Sequence, residues 1–274
     1  MPLPLPATVL VVGAGDLGLR LTQRRAVRGD TVLAVRRRAQ LADGLGPLVH
    51  ALGADVVSGN GMAALPRRVD ALVFCAAPDR RDEAAYRALF VDGLSRVLDA
   101  VQAPRIVFVS STSVYGQDAG ERVDERTMPQ PAAFNGRVLL EAEARVHAAG
   151  GRALRLSGLY GPGRTMLLRR ARDGVPGRAH WTNRIHIDDA AAALDTLLDE
   201  HASEPVYCGT DDMPALERDV LGWLRDREGL PPVPALEGAE TGRRVMNARL
   251  RGIGWTPQHP DWRSGYAALL TDRS

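Results

Sequence analysis

The sequence contains no lysine: every one of the 35 positions counted as lysine or arginine is arginine. That excludes the chemistry a lysine ammonium performs, namely Schiff-base formation, the lysine of a phosphate-binding loop and a tyrosine–lysine proton relay. Cysteine is nearly absent as well. Cys75 and Cys208 both lie in apolar, strand-like runs, which reads as two small buried thiols and leaves no disulfide framework and no zinc spacing. An excess of one charge is missing too. The formal net charge is +2 and the arginines are scattered in short groups, so nothing marks a nucleic-acid surface. No apolar run is long enough to span a bilayer, and "MPLPLPATVL" lacks the charged start and long apolar stretch of a signal peptide. A cytoplasmic enzyme or binding protein with a small-molecule ligand is expected, with no nucleic-acid or membrane partner.

What is present is alternation. The length of 274 residues suits one full α/β domain plus a small second lobe. "ATVLVVGAG" is a continuous apolar run ending in glycines, as in a strand buried on both faces of a parallel sheet. "DLGLRLTQRRAVRG" follows with helical spacing. "TVLAVRR" repeats the strand, and "AQLADGLGPLVHALG" reads as the next helix. "ADVVSGN" and "VDALVFCAAP" continue the series, a helical stretch runs from about Arg80 to Val101, and "RIVFVSS" is a further buried strand. "GRVLLEAEARVHAAG" is helical, "RALRLSGLYGPG" is strand and loop, "NRIHIDDAAAALDTLLDE" is a short strand and a helix capped by its paired aspartates, and "EPVYCGT" is a last buried strand. Such alternation predicts a doubly wound, Rossmann-type parallel sheet. We assign residues 1–160 and 184–211 to it, and residues 161–183 and 212–274 to a small C-terminal lobe.

The strongest motif is "VVGAGDLG". Gly13, Gly15 and Gly18 form the G-x-G-x-x-G arrangement between a buried strand and a helix: a tight turn, a close approach for a pyrophosphate, and close helix–strand packing. The phosphates would meet the positive helix end. Asp16 and Leu17 within the turn, Asn60 in "SGN", Ala76 and Ala77 in "CAAP", and Ser110 complete the expected cofactor contacts. An NAD site usually ends its second strand on an acidic residue, whereas this strand ends "AVRRR". Arg36, Arg37 and Arg38 either clasp the 2′-phosphate of NADP or begin a solvated helix; each charge-assisted contact contributes about 1.5–3 kcal/mol. NADP is the expected cofactor, with NAD the alternative.

Together, "GAGDLG", "CAAP", "SSTSVYG", "LRLSGLYGPGR" and "NRIHIDD" resemble an extended or atypical short-chain dehydrogenase/reductase of the NAD-dependent epimerase/dehydratase group, over nearly the whole chain. The resemblance implies that Ser111, four residues before Tyr115, hydrogen-bonds a reacting hydroxyl or carbonyl. It also implies a Tyr-x-x-x-Lys pair at the start of the next helix, but "PAAFNGRVLLEAE" places Phe134 and Val138 there. Arg137 cannot replace the pair, because a guanidinium does not shuttle protons at neutral pH. A positioned acid/base typically supplies about 10²–10⁴ in rate, so its loss bears on catalysis and leaves binding untouched.

Two other phenols, Tyr115 and Tyr160, are expected near the cleft, where Arg164 would lower a phenol's pKa; aromatic packing is the alternative for both. His186 with Asp188 and Asp189 invites a metal, yet no second histidine cluster accompanies it and helix capping explains the aspartates, so no metal site is assigned. Trp223, Trp255 and Trp262 are assigned to packing in the lobe. Two functions follow. One is an NADP-dependent oxidoreductase or epimerase-like enzyme acting on a small hydroxyl or carbonyl substrate, sugar-type in the family. The other is a catalytically silent NADP(H) sensor. Monomer and homodimer are equally allowed.

Overall fold

The computed structural model describes residues 3, 6–40, 45–199 and 202–271. Seven parallel strands form one sheet: β1 (Thr8–Val12), β2 (Thr31–Arg36), β3 (Val49–Gly53), β4 (Ala71–Phe74), β5 (Ile106–Ser111), β6 (Arg152–Leu156) and β7 (Val206–Gly209). Their order is β7-β6-β5-β4-β1-β2-β3, which is the Rossmann arrangement. Because successive side chains alternate across a strand, Leu10, Val12, Leu72, Phe74 and Phe108 face one side and Val9, Val11, Val73 and Val107 the other. The first face is covered by the helical run 83–100 and by helix α2 (Phe134–Ala148) through Leu94, Val97, Val138 and Leu139. The second is covered by α1 (Asp16–Val27) and α3 (Ile187–Asp199) through Leu17, Leu21, Leu194 and Leu197. The order reverses between β4 and β2 on either side of β1, which opens a crevice at the carboxyl ends of the strands.

Two sequence expectations change. The helix expected over 39–53 is replaced at its end by β3, which pairs in register with β2; residues 41–44 lie outside the described residues. Gly46, at φ +85°, followed by Pro47, breaks helical continuity there. "ADVVSGN" then forms a turn, held by Asp55 N–H donating to Asn60 O at 2.8 Å. A third apolar cluster gathers Tyr160, Leu168, Leu221, Leu224, Trp262 and Tyr266 beside the sheet domain. Leu250 and Trp255, from the segment assigned to the lobe, instead pack into the second face of the sheet. No described helix is long and apolar enough to cross a membrane.

Candidate functional site

At the carboxyl end of β1 the backbone passes close to the end of β4. Gly13 sits at φ +96°, and a Cβ there would lie 2.3 Å from the backbone nitrogen of Ala76. At Gly18 it would lie 2.4 Å from Gly13 O. Both glycines are therefore required by close backbone approach. Cys75 locks the two loops together: its N–H donates to Val12 O at 2.8 Å and its thiol to Gly13 O at 3.3 Å. Burial pushes that thiol's pKa up to about 12, so it stays a thiol and a donor. Gly15 differs, with nothing within 4 Å of where its Cβ would be. It is the N-cap of α1, and no side-chain hydrogen bond caps that helix among the described residues.

The other expected cofactor contacts divide. Leu17 buries its side chain in the core, so only its backbone faces the turn. The Asp16 carboxylate accepts from Arg20 Nε at 3.1 Å and Arg164 Nε at 2.8 Å, tying the turn to the segment after Tyr160. Ala76 lines the turn through its backbone, Ala77 is exposed, and Asn60 is exposed on the loop after β3. At the end of β2, Arg36 donates to Gln40 O at 3.0 Å, and Arg37 makes a two-pronged, solvent-exposed pair with Asp79, one arm at 2.8 Å. Exposed pairs of this kind are worth at most about 1 kcal/mol, so Arg37 is readily released to another anion.

The hydroxyls of Ser110, Tyr115 and Tyr160 are all held inside the fold. Ser110 is buried and donates its hydroxyl to Glu143 Oε1 at 2.6 Å. Glu143 also accepts from Arg155 Nε at 2.9 Å and Nη2 at 2.6 Å. Arg155 Nη1 donates to the Tyr115 hydroxyl at 2.8 Å, which donates in turn to Asp124 O at 2.7 Å. Tyr115 is thus a saturated member of a buried network, and burial raises its pKa far above the usual phenol range. Tyr160 is also buried, stacked on Tyr266 at 4.6 Å, with its hydroxyl lacking a hydrogen-bond partner among the described residues. Burial raises its pKa strongly, and Arg164 is spent on Asp16 rather than on either phenol. Both phenols are buried and stay protonated at neutral pH.

Ser111 alone of the expected catalytic residues is partly exposed. Its oxygen accepts from Ser113 N–H at 3.1 Å and caps the short turn Thr112–Val114, which leaves its hydroxyl proton free to donate. Phe134 stands edge-on to Tyr86 at 5.4 Å, and Val138 is in the core. Immediately after Ser111, an open cavity of about 210 Å³ is walled by Thr112, His180, Trp181, Asn183, Gly242 and Arg243. Sequence reasoning missed this cavity, because it is assembled from three distant segments and "TGRRV" carries no recognisable pattern.

His186 has a histidine neighbour that its local sequence does not show: the His259 ring lies 4.1 Å from that of His186, and with Asp189 their ligand-type atoms fall within 4.8 Å of one another. Asp189 does not cap its own helix. Its two carboxylate oxygens accept from Gln258 N–H at 2.6 Å and His259 N–H at 3.0 Å, clasping the 255–259 loop to α3. Asp188 pairs with Arg20, and its N–H donates to His186 Nδ1 at 3.3 Å. Burial, then the neighbouring His259, lowers the pKa of His186.

Comparison with known proteins agrees with this geometry. The solved structure of an epimerase/dehydratase-family protein from Methylobacillus flagellatus is 38% identical, with a TM-score of 0.86 over 98% of this chain and 99% of that one. Protein YeeZ of Escherichia coli is 31% identical over 210 residues, 73% of this chain and 76% of the relative. The 3-diazoavenalumate denitrifying reductase of a Streptomyces species is 29% identical over 94% of this chain and 98% of its own length. The model of the NAD dependent epimerase/dehydratase family matches residues 9–208, and the chain belongs to that family.

Proposed function

We propose that the protein binds a nicotinamide dinucleotide at the glycine turn, NADP(H) in preference to NAD(H), and reduces or oxidises a small carbonyl or hydroxyl substrate held beside Ser111. The observation that carries this is the uncapped start of α1 behind the open Gly15. Its N–H groups suit a pyrophosphate, and the neighbouring β2 ends on Arg36 and Arg37 rather than on a carboxylate. A nicotinamide, when bound, would supply or take the hydride. Ser111 would donate its hydroxyl proton in a hydrogen bond to the substrate oxygen, which would take its proton from water in the reducing direction and give it up to water in the oxidising direction. With Phe134 and Val138 where the family's proton-transfer pair is expected, turnover should be about 10²–10⁴ slower than with such a pair. That the Streptomyces relative is named a reductase supports the redox reading.

The test follows nicotinamide absorbance during turnover with a panel of aldehydes, ketones and alcohols. Slow, saturable turnover that Ser111→Ala lowers at least about tenfold is expected. Turnover unchanged in Ser111→Ala removes Ser111 from the chemistry. A second reading, a silent NADP(H) sensor, is favoured by the packing of Val138 into the core. It predicts no turnover with any substrate and a large difference in affinity between NADP⁺ and NADPH.

A further inference from the structure

The cavity after Ser111 has walls that are fixed before any ligand arrives. Residues His180–Thr182 form a strand paired with Thr241–Gly242, and Gly242 is held at φ +78°, where a Cβ would lie 2.4 Å from Trp181 O. Asn183 staples the two sides: its amide donates to Arg243 O at 2.9 Å, and its carbonyl accepts from Val245 N–H at 2.7 Å. Arg243 crosses from this strand pair to the β5 end, where Nη1 donates to Gln117 O at 2.9 Å and Nη2 reaches Thr112 O at 3.5 Å. Burial lowers its pKa, yet a guanidinium stays charged at neutral pH.

That charge has no carboxylate partner among the described residues. The acids nearby are engaged elsewhere: Asp118 accepts from Gly242 N–H at 2.6 Å, Glu121 from Ala119 N–H at 2.7 Å, and Glu240 from Trp181 Nε1 at 2.8 Å. A partly buried cation on a cavity wall, hydrogen-bonded only to neutral carbonyls among the described residues, is set to accept an anion. Asp118 and Glu121 both act on Arg243 through space, which disfavours a dianion such as a phosphoryl group. A planar carboxylate matches the guanidinium fork. A volume of about 210 Å³ is below the range of about 300–1,000 Å³ usual for drug-sized ligands, and Trp181 offers an aromatic wall.

We propose that this cavity binds a small carboxylic acid as its monoanion, with the carboxylate on Arg243 and the apolar body against Trp181. The proposal rests on the reading of the cleft given above and names the substrate class for it: a carbonyl or hydroxyl compound that also carries a carboxylate. The test is calorimetric titration of the whole protein, with and without saturating NADPH, using phenylpyruvate, its methyl ester, inorganic phosphate and UDP. Phenylpyruvate should bind at least about tenfold more tightly than its ester. Arg243→Met should lose that discrimination, and neither phosphate nor UDP should displace the acid. Equal affinity for acid and ester, no binding of the acid, or displacement by UDP would overturn it; the ester comparison uses the wild type and does not depend on how the variant folds. NADPH binding without acid binding removes the carboxylate site alone. Acid binding without NADPH binding removes the dinucleotide reading alone.

Discussion

The ends of β1 and β5 flank β4 in the same sheet, both carry motif-like sequence, and they are built in opposite ways. At β1 the chain withholds side chains: Gly15 faces open space and α1 begins without a cap. At β5 the chain fills the space itself, closing Ser110, Glu143, Arg155 and Tyr115 into a buried network while Ser111, Thr112 and Ser113 stay partly exposed. A segment that resembles an active-site edge can therefore be retained for packing, whereas unmet backbone donors behind a glycine have no packing role to explain them. The former should govern stability and the latter affinity.

The largest effect should come from the network. Arg155→Met leaves Glu143 buried and unpaired, which should destabilise the protein by about 3–5 kcal/mol in denaturant unfolding, with nucleotide affinity unchanged. Next, Tyr115→Phe removes one acceptor and one donor and should cost about 1–3 kcal/mol. Its turnover should match the wild type, and a collapse of turnover at intact stability would make the β5 end catalytic through Tyr115 after all. The β1 end should answer in the other direction. Gly15→Ala meets no atom and occupies φ −83°, so its melting temperature should hold while nucleotide affinity falls about tenfold, or about 1.4 kcal/mol. A lowered melting temperature with unchanged affinity would break the contrast.

The smallest effect concerns the junction with the lobe. Asp211 is buried beside Arg184, and its pKa is raised by burial to about 8 from an ordinary 3.8. The folded state therefore holds this proton more tightly than the unfolded one. The stability it contributes is complete below the unfolded pKa and is lost as pH rises through the folded value. Between about pH 4 and pH 8 the wild type should lose stability steadily from this group, and the loss should level off above about pH 8. Asp211→Asn, which cannot ionise, should lack that slope in unfolding curves recorded across the range.

The sheet was legible because buried parallel strands write continuous apolar runs, and "ATVLVV", "DALVF" and "RIVFV" are all of that kind. β3 escaped notice: "VHALG" carries a histidine, is only half-buried and follows a helical-looking segment, so its pairing with β2 rather than its own pattern makes it a strand. The glycine turn was legible since its residues act through backbone geometry that sequence spacing encodes. The burial of Ser110, Tyr115 and Tyr160 was not legible for the converse reason. Whether a hydroxyl meets solvent or a buried partner depends on Glu143, Arg155 and Tyr266, which lie tens of residues away. His259 joined His186 by the same kind of long-range packing.

The most direct test of the open β1 end is a calorimetric titration of the wild type and Gly15→Ala with NADP⁺, NADPH, NAD⁺ and NADH in one buffer. The wild type should bind the phosphorylated pair at least about tenfold more tightly than the other pair, and Gly15→Ala should weaken all four together. No binding of any nucleotide to the folded wild type would contradict it, leaving the glycine turn as scaffold.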